Sequence, residues 1–82
     1  MTEDQKHLLS QLKPGQHFTV QKVNAKGEIR RRLVDIGFLK EEKGVVIREA
    51  LFCDPIEVEI KNTKVSLRRS EAEMINIKVM EQ

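Results

Sequence analysis

Ile56-Glu57-Val58-Glu59-Ile60 alternates apolar and acidic residues without a break, and Lys61-Asn62-Thr63-Lys64 follows it directly. Strict alternation places one side of a strand in a core and the other in water. The next four residues form a tight turn in which Asn62 tolerates positive φ. Val65 and Leu67 then supply the returning strand. A hairpin of this kind cannot bury its apolar face alone, so the rest of the chain must cover it.

Other segments offer that cover. Phe18, Val20 and Val23 mark an earlier strand, Val45 to Ala50 a second, and Ile75, Ile77 and Val79 a closing one. Thr2-Glu3-Asp4-Gln5 has capping-box spacing and predicts a short N-terminal helix with Leu8, Leu9 and Leu12 on its apolar side, ended by Lys13-Pro14-Gly15. A second helix is predicted from about Glu28 to Ile36. Ile29, Leu33 and Ile36 fall at i, i+4 and i+7 and are expected to share its buried face. Glu28 is placed to pair with Arg32, and Gly37 to stop the helix so that Phe38 folds back onto Leu33. Ser70-Glu71-Ala72-Glu73 opens one further helical turn. About five short strands with a helix inserted after the first predict a mainly β, small, strongly bent barrel.

The chain's 82 residues make one domain, 1–82. A chain this size buries only roughly 60–65% of its unfolded surface, which leaves a thin core and little room for a deep cleft. The 15 basic and 13 acidic residues give a net charge of +2, and the charges are interspersed. Dedicated nucleic-acid binders are usually far more basic. Trp and Tyr are absent, and only Phe18, Phe38 and Phe52 could stack on a base. The polar N-terminus lacks an apolar signal-type run, and no stretch reaches the roughly 20 apolar residues of a membrane span. Membrane association is therefore expected only through a partner. Cys53 is the single cysteine, which excludes an intrachain disulfide and fits a reducing compartment.

Three sets of residues invite a functional reading. Phe38, Leu39, Leu51 and Phe52 are apolar residues in or beside loops. They form either a protein-docking patch or the packing beneath the N-terminal helix. Arg30, Arg31 and Arg32, with Arg68 and Arg69, are basic. Three consecutive helical residues fan through about 200°, which is poor geometry for gripping one phosphate. Pairing with nearby acids, contact with an acidic partner or phosphate binding remain open for them. His7, His17, Cys53 and Asp54 are the conceivable metal ligands, but no pair has ligand spacing, and Asp54 before Pro55 reads as a turn residue. No native metal site, cofactor or catalytic centre is expected.

The blocks Leu9-Ser10-Gln11-Leu12-Lys13-Pro14-Gly15, Arg31-Arg32-Leu33-Val34-Asp35-Ile36-Gly37-Phe38, Ala50-Leu51-Phe52-Cys53-Asp54-Pro55-Ile56 and Val65-Ser66-Leu67-Arg68-Arg69-Ser70-Glu71-Ala72, in this order, resemble the FeoA family from about Leu8 to Val79. The resemblance implies an SH3-like barrel in the cytoplasm. It implies a non-enzymatic accessory of the membrane ferrous-iron transporter FeoB, which carries a GTPase domain. The docking residues expected from the apolar loops and the basic helix are Leu39, Leu51, Phe52, Phe38, Arg31 and Arg32, and weak self-association is compatible with this reading. A stand-alone module like the C-terminal domain of iron-dependent repressors, or a small-barrel nucleic-acid binder, is the alternative. Lys40-Glu41 stands where the family commonly has Pro-Gly, Leu51 where it has Pro, and Asn62 where it has Gly. The first two replacements imply altered loop shapes beside the expected contact surface.

Overall fold

The computed structural model of the chain describes residues 6–50 and 54–80. The elements run β1 (Lys6–Leu8), a 3-10 turn (Leu9–Gln11), β2 (His17–Val23), α1 (Gly27–Ile36), β3 (Lys43–Glu49), β4 (Ile56–Ile60), β5 (Thr63–Leu67), α2 (Arg69–Ala72) and β6 (Ile75–Met80). The six strands form one sheet in the order β1-β6-β2-β3-β4-β5. Every pairing is antiparallel. Register shifts between Val20 and Lys22 on β2, and between Val46 and Arg48 on β3, bend the sheet where each strand meets its neighbour.

The hairpin that opened the sequence argument forms as expected. Ile60 faces Thr63, and Lys61 and Asn62 between them have φ of 53° and 62°. Both central residues at positive φ define the turn that matches the natural twist of two strands. Ile56, Val58 and Ile60 are buried, while Glu57 and Glu59 are half-buried on the other side. They join Phe18, Val20, Leu67, Ile75 and Ile77 in one core, which Leu9, Leu12, Leu33 and Phe38 complete. Fully burying one such side chain is worth about 1.5–3 kcal/mol, so this cluster is the main source of stability.

Gly44 marks a close approach in the sheet. A Cβ there would lie 2.6 Å from Phe18 Cζ and 2.7 Å from the Glu59 carbonyl oxygen. Gly44 and Phe18 face one another in the β2–β3 register. The missing side chain is what lets the phenyl ring fill the core at this crossing.

The N-terminal expectation needs correction. Thr2, Glu3, Asp4 and Gln5 lie outside the described residues. Leu8 belongs to strand β1, opposite Asn76 of β6, and only Leu9–Gln11 make a 3-10 turn. A helix this short nucleates poorly, and hydrogen bonds to β6 offer the backbone a better partner. Leu9 and Leu12 are buried nonetheless. β1 is thus a sixth strand.

Helix α1 follows the predicted limits to within a residue. Its stop is a Schellman motif: Phe38 N–H donates to the Leu33 carbonyl at 3.1 Å and Gly37 N–H to that of Val34 at 3.0 Å, with Gly37 at φ 132°. Phe38 and Leu33 both reach the core. The first turn behaves differently. Ile29 is 40% exposed, against the expected burial, and Leu33 is the one fully buried residue of the helix. The helix therefore meets the core through its last turns, and its N-terminal end stands clear.

Candidate docking surface

The segment between α1 and β3 begins where Phe38 plugs the core. Leu39 N–H donates to the Gly37 carbonyl at 2.8 Å, and Glu42 N–H to the Leu39 carbonyl at 3.0 Å. The tight turn between them puts Glu41 at φ 76°. Its N–H then donates to the Val20 carbonyl at 2.8 Å, while Val20 N–H donates to the Glu42 carbonyl at 2.7 Å. The loop is thus tied to β2 in both directions. Lys61 closes its flank, with Nζ 3.5 Å from a Glu42 carboxylate oxygen.

The outcome is an apolar side chain held in solvent on a fixed backbone. Leu39 is 41% exposed, and with Ile29 it makes up the exposed large hydrophobic residues of the described chain. Phe38 does not join it. At 1% exposure it has no side-chain surface to offer a partner, because the helix stop turns it inward. That removes Phe38 from the expected docking set. Leu51 and Phe52 lie outside the described residues. Ile29 was missed as an exposed position because its spacing from Leu33 assigns it to the buried face. Helical periodicity reports a face and is silent on how far the sheet beneath it extends.

The arginines separate in the structure. Arg30 donates from Nη1 to the Val23 carbonyl at 2.9 Å, which ties the start of α1 to the end of β2. Arg32 pairs with Glu71 of α2 rather than with Glu28. Arg31 is exposed and makes no ion pair among the described residues. Arg69 pairs with Glu73 at 3.4 Å. Glu71 has a second task, since its Oε1 accepts the Arg68 N–H at 3.0 Å and caps α2. The cap therefore sits two residues before the expected Ser70.

Of the possible metal ligands, Cys53 lies outside the described residues, and His7, His17 and Asp54 have separate surroundings. Asp54 Oδ1 accepts the Arg69 N–H at 3.0 Å, which anchors the start of α2 and explains an aspartate before Pro55. His7 faces Ile77, and His17 faces Val45 and Met80. Among the described residues no three His, Cys, Asp or Glu side chains gather as a metal would require. Among the same residues no helix is long and apolar enough to cross a membrane.

A small antiparallel sheet, one inserted helix stopped at Gly37 and a pinned loop displaying Leu39 can be set against known proteins. The FeoA domain model matches residues 7–79. The chain belongs to the FeoA family. A Porphyromonas gingivalis protein, a fusion of Fe(2+) transport protein A with the Fe(2+) transporter FeoB, is 31% identical over 72 residues, which cover 88% of this chain. The chain spans 8% of the length of that relative. The solution structure of FeoA from Chlorobium tepidum superposes with a TM-score of 0.85 at 39% identity, covering 92% of this chain and 71% of that one. The FeoA of Stenotrophomonas maltophilia, a prokaryotic SH3 domain protein solved with zinc, gives a TM-score of 0.78 at 29% identity, covering 87% of this chain and 88% of that one. The fold is SH3-like, as the FeoA resemblance implies.

Proposed function

We propose that this protein is a non-enzymatic accessory of ferrous-iron uptake that docks on the cytoplasmic part of a FeoB-type transporter and biases its assembly or activity. The observation that carries this reading is the relative in which the same domain and FeoB share one polypeptide. Domains fused in one protein commonly act as neighbours when they occur as separate chains. The local geometry fits the task. Leu39 is displayed on a backbone that cannot collapse, so little conformational entropy is lost when it is buried against a partner. Arg31 stands exposed on α1, the helix that leads into that loop, and is free to meet an acidic rim.

In this mechanism the protein supplies no reaction step. It shifts a transporter equilibrium only to the extent that it binds one conformation better than another. It works in the cytoplasm, reaches the membrane through its partner, needs no cofactor and binds no nucleic acid. Weak self-association at high concentration is compatible with the exposed loop.

Calorimetric titration of the protein into the cytoplasmic region of FeoB tests the reading. Leu39→Glu is expected to weaken binding by about tenfold or more, as loss of a central apolar anchor does, while the circular dichroism spectrum stays unchanged. Leu51→Glu is expected to act in the same direction. Undiminished affinity in both variants would remove Leu39 and Leu51 from the interface, and no binding by the unaltered protein would remove the partner.

A further inference from the structure

β5 is one of the two outer strands of the sheet, and it differs from the other. β1 is three residues long, and its Leu8 N–H is already bonded to Gln11 Oε1 at 2.7 Å. β5 is five residues long and pairs only with β4. Its register fixes which backbone groups are used. Thr63, Val65 and Leu67 face Ile60, Val58 and Ile56. In a hairpin with a two-residue turn, the pair flanking the turn exchanges both hydrogen bonds, and every second pair after it does the same. The N–H and C=O groups of Lys64 and Ser66 therefore point away from the sheet, with no backbone partner among the described residues.

The charge along this edge has one sign. From Lys61 to Arg68 the chain carries Lys61, Lys64 and Arg68 and no acidic residue. Beside the end of β5 lies an open depression of about 380 Å³, lined by Arg32, Pro55, Ser66, Leu67 and Arg68. Arg68 forms no ion pair among the described residues. The acids nearest this edge are largely engaged: Glu71 with Arg32, and Glu57 with Arg48 at 2.7 Å. Glu59, opposite Lys64, is half-buried on β4.

The geometry points to β5 as a docking edge for an extended acidic segment of a partner protein, which adds to the sheet as a seventh strand. Backbone bonds to Lys64 and Ser66 supply the pairing, and carboxylates of the segment meet Lys64 and Arg68. A second copy of this chain fits the edge poorly. Antiparallel pairing of two β5 strands over their full length would set Lys64 opposite Ser66 of the other copy, with no acidic residue on either strand to offset the two sets of basic side chains. The inference does not depend on the Leu39 surface, which lies on the loop before β3.

Nuclear magnetic resonance titration of the full chain with the capped peptide acetyl-Val-Glu-Val-Glu-Val-Glu-amide tests it. The amide signals of Lys64 and Ser66 are expected to shift and to gain protection from solvent exchange. Ser66→Pro deletes one outward donor at a position where an edge tolerates proline, and is expected to weaken the peptide by about tenfold with an otherwise unchanged spectrum. Arg68→Glu is expected to weaken it similarly, and Leu39→Glu to leave it unchanged. The idea is overturned by absence of shifts at millimolar peptide, or by shifts that centre away from β5. Equal binding of the all-Gln peptide overturns the acidic preference, and concentration-dependent β5 shifts in the protein alone would assign the edge to self-pairing instead. Failure of this test leaves the FeoB reading standing, and failure of the Leu39 test leaves this one standing.

Discussion

The two ends of α1 use the same kind of residue for opposite purposes. At the C-terminal end Leu33 and Phe38 are buried and the backbone closes in a Schellman stop. At the N-terminal end Ile29 is 40% exposed, and the helix is held by the Arg30 bond to the Val23 carbonyl. An apolar side chain on this helix is thus core or surface according to whether the sheet continues beneath it. Leu39 extends the lesson by one residue: it follows Phe38 directly, yet its side chain stays outside. Hydrophobicity alone does not divide the molecule into scaffold and contact surface, whereas the hydrogen bonds that orient each Cα–Cβ bond do.

Substitution should separate the two ends on a scale of unfolding free energy. Phe38→Ala is expected to cost about 3–5 kcal/mol, because it empties a fully enclosed site. Urea denaturation reads this directly, and a loss under 1 kcal/mol would mean that the ring is not part of the core. Gly37→Ala comes next, at about 1–2 kcal/mol, because φ of 132° is costly for any residue with a Cβ. The new methyl group would also lie 3.2 Å from Lys61 Cδ, although that flexible side chain can move aside. Ile29→Gln should be smallest, within about 0.5 kcal/mol, as for other surface positions. If Ile29→Gln proved as damaging as Phe38→Ala, the helix would have two anchored ends and the contrast would fail.

Much of this was legible in the sequence because it is local. Alternation over Ile56–Ile60, the turn at Asn62 and the glycine stop at Gly37 each depend on residues a few positions apart, and each formed as expected. What was illegible depends on distant partners. β1 exists because β6 lies beside it, so Leu8 is strand rather than helix. Arg32 reaches Glu71, 39 residues away, instead of the helical neighbour that spacing suggested. The candidate surface was only partly visible for the same reason. A loop leucine could be named from the sequence, but the inward turn of Phe38 and the exposure of Ile29 follow from how the helix sits on the sheet.

The contact between Gly44 and Phe18 also limits how this protein can change. Trimming the ring would relieve only half of the crowding, since the Glu59 carbonyl oxygen would remain 2.7 Å from any new Cβ. A replacement of Gly44 therefore cannot be accommodated by trimming Phe18 alone; the β4 backbone at Glu59 would have to shift as well.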